Sequence, residues 1–231
     1  LARPWRKPMD VTIAGITIKA DEIPTVEYRS GDGGRIPVVE PHTWMVWYLV
    51  SRLDWSRPIA FAVTVPTSNM AGLKPYLTME GMVYTLGKVY ATGQFDLEKT
   101  ARNLLEVYRY TAVADSTVYR DPVARRLLGN YLVVFDALVR GYLQQGMITP
   151  ALQTLLVAEK LLPQHAFGND ESWEFLTEHY WRMALRYAEA GQIDSARIAS
   201  DEFLRTNPDM AGSPQFQEVI AGWQATVDSA E

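Results

Sequence analysis

A 45-residue period in the carboxy-terminal half constrains the fold more than any other feature of the sequence. Glycine permits a tight chain reversal, alanine lets a second helix approach the first closely, and proline ends that helix. The period therefore predicts two helix hairpins of one design. The residues that recur at this offset are Tyr142 and Tyr187, Gly146 and Gly191, Ile148 and Ile193, Ala151 and Ala196, and Pro163 and Pro208.

Apolar residues at helical spacing predict five helices in this half of the chain. The first two form a hairpin over about residues 122–163, and the next two form a second hairpin over about 170–208. A fifth helix over about 214–228 is expected to act as a solvent-facing cap. The predicted helices are Asp121 to Gln145, Thr149 to Leu162, Asp170 to Ala190, Asp194 to Thr206 and Pro214 to Val227.

The two hairpins resemble the tetratricopeptide repeat, whose usual period is about 34 residues. The longer period here implies an insertion, which we place around residues 164–171. Phe203 departs from the repeat pattern, which prefers a small residue at that position. The resemblance implies a concave groove that binds peptides or proteins. Pure scaffolding is the alternative, because two units make only a short groove.

The amino-terminal half shows strand-like alternation between Asp10 and Glu40. A helix should begin near Pro41, with Thr43 able to cap it. The apolar run from Ile59 to Val65 predicts a strand buried on both faces, and Asp96 should cap a helix that reaches about Tyr110. We therefore expect an α+β protein: a linker over residues 1–8, a small α/β unit over 9–95, and a helical region over 96–231.

Composition excludes several classes of protein. The chain has 22 basic and 27 acidic residues and a net charge of −5, which argues against nucleic acid as a partner. No run of about 18 apolar residues is present, so this segment should not insert into a membrane. There are no cysteines, which excludes disulfides and thiolate zinc sites.

Four stretches, in this order, are similar to one family: residues 55–64, 73–84, 118–121 and 125–131. They resemble the soluble tail of bacterial polytopic membrane proteins related to protein O-mannosyltransferases, of the C-type glycosyltransferase superfamily. In that family the sugar-transfer chemistry belongs to loops of the membrane domain. The resemblance therefore implies no catalytic residue here, and it implies an extracytoplasmic, periplasmic location.

The residues themselves announce no catalytic or metal site. His42, His165 and His179 form no His-Glu-x-x-His pattern. We expect His179 to be solvated or to cap a helix, and His165 to be exposed. The Asp170-Glu171 pair is expected to place acidic charge in the first turn of a helix. No cofactor or metal is expected.

Two groups of residues are candidates for a binding surface. Trp44, Trp47 and Trp55 could stack on sugar rings, although packing in a core or at a domain interface is the alternative. Arg126 and Asn130 lie one helical turn apart, so both can face the same way. They could contact a ligand or tie their helix to the α/β unit.

These observations lead to one principal expectation. The chain should be a non-catalytic extracytoplasmic module of a membrane-embedded glycosyltransferase-like protein. Its partners would be its own upstream membrane domain or a protein or peptide acceptor that it presents. The alternative is a free-standing helical-repeat adaptor that binds peptides. Multiple membrane spans encoded upstream of Leu1 would favour the first, and a signal peptide alone would favour the second.

Overall fold

The computed structural model describes residues 9–29, 31, 33–91, 94–167 and 174–228. The predicted linker over residues 1–8 and the predicted helix start at Asp170 lie outside these ranges. The chain divides into two compact units, Leu1–Asn103 and Leu104–Glu231. Short strands fill the first unit and helices fill the second, so the expected α+β class is confirmed.

The described residues of the amino-terminal unit form three small sheets. Strands β1 and β2 form one antiparallel hairpin, and β3 and β4 form another. The third sheet has four strands in the order β5-β7-β6-β8, with β8 parallel to β6. The elements of this unit are β1 (Val11–Ile13), β2 (Ile16–Ile18), β3 (Val26–Arg29), β4 (Arg35–Val38), α1 (Pro41–Ser51), β5 (Ala60–Ala62), β6 (Leu77–Met79), β7 (Val83–Leu86), β8 (Gln94–Phe95) and α2 (Leu97–Arg102).

Strand β5 differs from its prediction. The sequence predicted a long strand buried on both faces, but β5 has three residues, of which only Phe61 is buried. Its neighbours Ala60 and Ala62 are exposed. The prediction was wrong because β5 lies at the edge of its sheet, where β7 is its one partner among the described strands, and the face that carries Ala60 and Ala62 is exposed.

Helix α1 begins earlier than its predicted cap. Pro41 is its first residue and Glu40 is the N-cap residue. Proline suits this position, because the first turn of a helix leaves its backbone N–H groups without intrahelical partners. Thr43 therefore lies inside the helix, where it is fully buried, and its predicted capping role was wrong.

A sharp turn at Ala71 and Gly72 fixes one wall of the amino-terminal core. Both residues have positive φ, 55° and 77°. A Cβ atom at Gly72 would lie 2.6 Å from Cγ2 of Ile18, so only glycine fits without displacement. The indole N–H of buried Trp47 donates a hydrogen bond of 2.9 Å to the Ala71 carbonyl. Helix α1 thus holds the turn in place.

Helix α2 is shorter than predicted. The Asp96 side chain accepts a hydrogen bond of 2.9 Å from the backbone N–H of Lys99, which confirms the predicted cap. After Arg102 the chain continues as a single π-helical segment, Asn103–Val107, and the helix does not reach Tyr110.

The carboxy-terminal unit is helical. Its helices are α3 (Pro122–Gln144), α4 (Ile148–Leu161), α5 (Glu174–Glu189), α6 (Ile193–Thr206) and α7 (Pro214–Asp228). The Asp121 side chain caps α3 by accepting 2.8 Å from the N–H of Ala124. Within the described ranges, no helix is long and apolar enough to cross a bilayer.

The α3–α4 and α5–α6 hairpins have the same turn geometry. Gly146 and Gly191 both have φ of 73°. In the first turn the Met147 N–H donates to the Tyr142 carbonyl at 2.9 Å, and in the second the Gln192 N–H donates to the Tyr187 carbonyl at 2.8 Å. In both cases the bond runs back around the glycine to the same position.

The second helices of the two hairpins also end alike. Leu162, which follows α4, has φ −128° and ψ 64°. Asn207, which follows α6 at the 45-residue offset, has φ −133° and ψ 65°. A proline comes next in both cases, and it cannot continue a helix. The recurring residues of the sequence thus coincide with a recurring backbone.

Candidate functional site

A groove of about 450 Å³ lies between α3 and α5. We call it the arginine groove, because its lining includes Arg140, Arg182 and Arg186, whereas Glu189 is the one carboxylate among the described residues that line it. The three arginine side chains are 55% to 62% exposed. Leu143, Gln144 and Leu185 complete the lining. The groove therefore combines apolar side chains with several guanidinium donors.

The exposed ion pairs of the groove are loose. Arg182 lies 3.5 Å from Glu178, and Arg186 lies 3.9 Å from Glu189. Solvent-exposed pairs of this kind contribute about 0–1 kcal/mol. A carboxylate brought by a ligand can therefore compete for these guanidinium groups, which each carry several N–H donors.

A buried polar pair joins the two helices beneath the groove. Asp136 of α3 and His179 of α5 are 5% and 1% exposed, and 2.6 Å separates Oδ1 of Asp136 from Nε2 of His179. The other carboxylate oxygen accepts a hydrogen bond from Arg140, one turn further along α3. The Arg140 head group is thereby anchored at the edge of the groove.

The expected solvated position of His179 was wrong. Tyr180, Met183, Ala184 and Tyr187 are all buried, and helical periodicity places His179 on the same side of α5. Sequence reasoning also missed Asp136. The available signal was an acidic residue in the middle of an apolar run, because Leu132, Phe135, Leu138 and Val139 around it are all fully buried.

Burial lowers the pKa of His179 to about 4, with the positive charges of Arg182 and Arg140 adding to the effect and Glu178 opposing it. The second ring nitrogen, Nδ1, is buried and has no hydrogen-bond partner among the residues that the structure describes. A proton on Nδ1 would have no acceptor within this described part of the chain, which further disfavours the charged ring. The imidazole is therefore neutral, and its Nε2–H donates to Asp136.

An aspartate that orients a histidine is also part of general-base catalysis. A base must come within hydrogen-bond reach of the proton that it abstracts. The His179 side chain is 2% exposed, and it lies below the arginine groove, not in it. The pair therefore fastens α3 to α5, and the accessible chemistry of the site belongs to the arginines.

The three tryptophans predicted as a sugar-binding surface occupy different environments. Trp44 is 47% exposed, whereas Trp47 is 4% exposed and packs in the core. Their rings are 5.2 Å apart and nearly perpendicular. Trp55 is half-buried, with the Lys88 ammonium group 4.9 Å from its ring centre. The three rings thus do not present one flat platform.

Helix α1 nevertheless exposes a large apolar face. Met45, Tyr48 and Leu49 are 58% to 67% exposed. A shallow groove of about 490 Å³ runs between this helix and residues 11–14 of the first hairpin, with Trp44 and Tyr48 in its lining. Sugar stacking at this face stays a prediction, with Trp44 as its accessible ring.

Arg126 and Asn130 lie on α3, one turn apart as predicted. Arg126 is exposed and Asn130 is half-buried, with the Asn130 side chain donating to the Leu127 carbonyl at 3.0 Å. Neither lines the arginine groove. Their roles as ligand contact or helix tether stay predictions.

The remaining polar candidates are His165, His42, Asp170 and Glu171. His165 is exposed as expected, and its Nε2 lies 3.2 Å from the Ala114 carbonyl. His42 lies 3.8 Å from Glu40. Asp170 and Glu171 lie outside the described residues. No group of three potential metal ligands is present in the ranges that the structure describes.

Comparison with known proteins finds a family match for one segment of the chain. The family described as TMEM260-associated domain 2 matches residues 25–103, about a third of the chain. TMEM260 is a glycosyltransferase-like membrane protein, so the match is loosely consistent with the resemblance to proteins related to protein O-mannosyltransferases. No curated protein and no solved structure matches the chain.

Proposed function

We propose that the chain is a non-catalytic, protein-binding module of a glycosyltransferase-like membrane protein. The observation that carries the proposal is the match of residues 25–103 to a domain associated with TMEM260. The sequence resemblance also supports the proposal, through residues 55–64, 73–84, 118–121 and 125–131. Its last two stretches are independent support, because they lie outside the matched segment.

A location outside the cytoplasm, on the periplasmic side of a bacterial membrane, belongs to the same proposal. It rests on the sequence resemblance, in which the soluble tail follows the membrane domain. In this arrangement the module packs on its membrane domain or presents an acceptor to it. Sugar transfer itself belongs to the membrane domain.

The reading frame upstream of Leu1 tests the association. We expect it to encode several apolar spans, each about 20 residues long. A frame with a signal peptide or a start codon immediately upstream would overturn the association. The chain would then be a free-standing adaptor, which is our second candidate.

We further propose that the α3–α4 and α5–α6 hairpins are tetratricopeptide-like and bind an extended peptide. The common turn geometry at Gly146 and Gly191 supports the repeat. The arginine groove supports the binding function, because guanidinium groups pair with carboxylates through two parallel hydrogen bonds. The expected ligand is a segment rich in Asp or Glu with apolar residues between them.

Fluorescence anisotropy with a labelled peptide of alternating Glu and Leu tests the peptide-binding proposal. The Arg182→Gln/Arg186→Gln double variant should weaken binding by about tenfold, corresponding to about 1.4 kcal/mol. Binding should also weaken as salt is added. Arg197→Gln, an exposed change on α6 outside the groove, is the matched control. Equal losses in the double variant and the control would contradict the assignment of the groove.

A further inference from the structure

A pocket of about 390 Å³ lies on one face of the four-stranded sheet in the amino-terminal unit. Its volume falls within the range of small-molecule sites, about 300–1,000 Å³. It lies in the opposite half of the chain from the arginine groove and does not depend on the proposed function. We call it the sheet pocket. Its lining is Val63, Val65, Pro66, Thr67, Met70, Lys74, Leu77, Met79, Tyr84, Gln94 and Phe95.

Strand register builds the floor of the sheet pocket. Met79 of β6 is aligned with Tyr84 of β7 on one side and with Phe95 of β8 on the other. Aligned residues of neighbouring strands project from the same face of a sheet. The three side chains therefore form one row across the sheet, and buried Leu77 and Met70 lie alongside it. This row offers a continuous apolar surface.

The turn at Ala71 and Gly72 connects the apolar floor to a charged residue. Met70 precedes this turn and Lys74 follows it, and both line the pocket. The turn is fixed by the hydrogen bond from Trp47 and by the tight packing at Gly72. The wall that carries Met70 and Lys74 is thus formed before any ligand arrives, which reduces the entropic cost of binding.

The electrostatic sign of the pocket is positive. Lys74 is exposed and is the one charged side chain among the described residues that line the pocket. Two carboxylates, Glu80 and Asp96, adjoin the floor in sequence, and neither lines the pocket. Glu80 accepts from the Lys99 ammonium group at 2.8 Å and from the Thr85 hydroxyl at 3.0 Å, and Asp96 accepts from the Lys99 backbone N–H at 2.9 Å. Tyr84, Gln94 and Thr67 add polar groups to the lining.

We propose that the sheet pocket binds a small amphipathic anion, with its apolar body on the Met79 row and its carboxylate beside the Lys74 ammonium group. The apolar body recognises the row by burial of its surface. The carboxylate is recognised by charge complementarity, which selects against a neutral or cationic head group. No assigned function accounts for this site.

Titration of the full chain with decanoate, below the concentration at which it forms micelles, tests the proposal. The readout is the methyl NMR signals of methionine, because Met70 and Met79 both line the pocket. We expect these two signals to shift saturably, while Met9 and Met210, which are exposed elsewhere, do not. Equal shifts of all methionine signals, or no saturable shift, would overturn the proposal.

Two variants test the two parts of the ligand. Lys74→Gln should weaken decanoate binding about two- to fivefold, the range expected for an exposed ion pair, and should leave decanol binding unchanged. Lys160→Gln, an exposed change in the other unit, is its control. Val65→Trp should fill the pocket and abolish binding of both probes. Unchanged decanoate affinity in Lys74→Gln would refute recognition of the carboxylate by Lys74. Unchanged affinity in a folded Val65→Trp would refute binding in the sheet pocket.

Discussion

In the first hairpin of the carboxy-terminal unit, α4 buries Leu155 and Ala158, whereas at the equivalent positions of the second hairpin α6 buries Ser200 and Phe203. The larger side chain has moved by about one helical turn between two hairpins whose turns and helix ends coincide. The glycine and proline positions thus determine the backbone path, and the interior is filled differently around it. This is consistent with the general tolerance of protein cores to redistribution of volume.

The aromatic neighbours of Phe203 explain why the second hairpin has a large residue at this position. Its ring lies 5.7 Å from that of Trp181 and 6.1 Å from that of Phe216 on α7. Trp181 also lies 4.9 Å from Phe216 and 6.0 Å from Trp223. The four rings form an aromatic cluster between the second hairpin and α7. The first hairpin has Ala158 instead of Phe203.

Among the changes that test this comparison, removal of the Phe203 ring should lower the free energy of unfolding the most. Phe203→Ala should lower the free energy of unfolding by about 3–5 kcal/mol, because it leaves a cavity within the aromatic cluster. Urea denaturation followed by far-UV circular dichroism measures the change. Ile198→Ala on the exposed side of α6 is the control and should change stability by less than about 0.5 kcal/mol. A small effect of Phe203→Ala would show that α7 packs without the cluster.

The second difference between the hairpins is a polar residue. At the 45-residue offset, the second hairpin has His179 where the first has Val134. The unfolded histidine binds a proton near pH 6.5, whereas the folded one, whose pKa is lowered to about 4, does not. Stability is therefore complete above about pH 6.5 and falls as the pH drops towards 4, by about 3 kcal/mol for this group. The positive charges of Arg182 and Arg140 add to this lowering of the pKa, and Glu178 opposes it. The Asp136 carboxylate, 2.6 Å from Nε2, also favours the charged ring and therefore reduces the loss.

His179→Gln tests this pH dependence, because its amide can still donate to Asp136 but does not titrate. We expect the melting temperature of the variant to fall less steeply than that of the parent between pH 6.5 and 4. His165→Gln, at an exposed position, should retain the parent slope. Identical slopes for all three proteins would show that folding does not lower the pKa of His179.

Larger side chains at the helix crossings test whether the two helices pack equally closely in both hairpins. Ala151 and Ala196 are both fully buried, so Ala151→Leu and Ala196→Leu should each lower the free energy of unfolding by about 1–3 kcal/mol. Thermal melts of the two variants measure the change. An unaffected melting temperature in one of them would identify a loose crossing in that hairpin.

The smallest expected effect is at the turns themselves. A Cβ atom at Gly146 or Gly191 would meet no atom of the described residues within 4 Å, so the left-handed backbone is what opposes alanine there. Gly146→Ala and Gly191→Ala should each cost about 1 kcal/mol. Equal costs by denaturation would confirm that the turns are equivalent, and unequal costs would show that one turn relaxes.

The sequence predicted the helices well because their signals are local. Asp121 and Asp96 cap the helices that follow them, as their side chains and positions indicate. Glycine and proline mark the hairpin turns and ends at a fixed offset. The short strands were harder to predict: β5 has only three residues, and its burial depends on strands that lie elsewhere in the chain.

The candidate sites were largely beyond sequence reasoning, because they depend on residues far apart in the chain. Asp136 and His179 are 43 positions apart, and no local pattern pairs them. Trp47 was predicted as a candidate for a sugar surface, with core packing as the alternative. Core packing is what the structure shows for Trp47, and its indole N–H donates to the Ala71 carbonyl, 24 positions away. The arginine groove likewise requires α3 and α5 to lie side by side.

The hydrogen bond from Trp47 to Ala71 also makes the amino-terminal unit easy to monitor. An indole proton held in a buried bond exchanges with solvent only when the surrounding structure opens. Its exchange rate would therefore report the opening of α1 from the turn that bears the wall of the sheet pocket. A single resolved signal could follow this half of the chain while the helical half is altered by mutation.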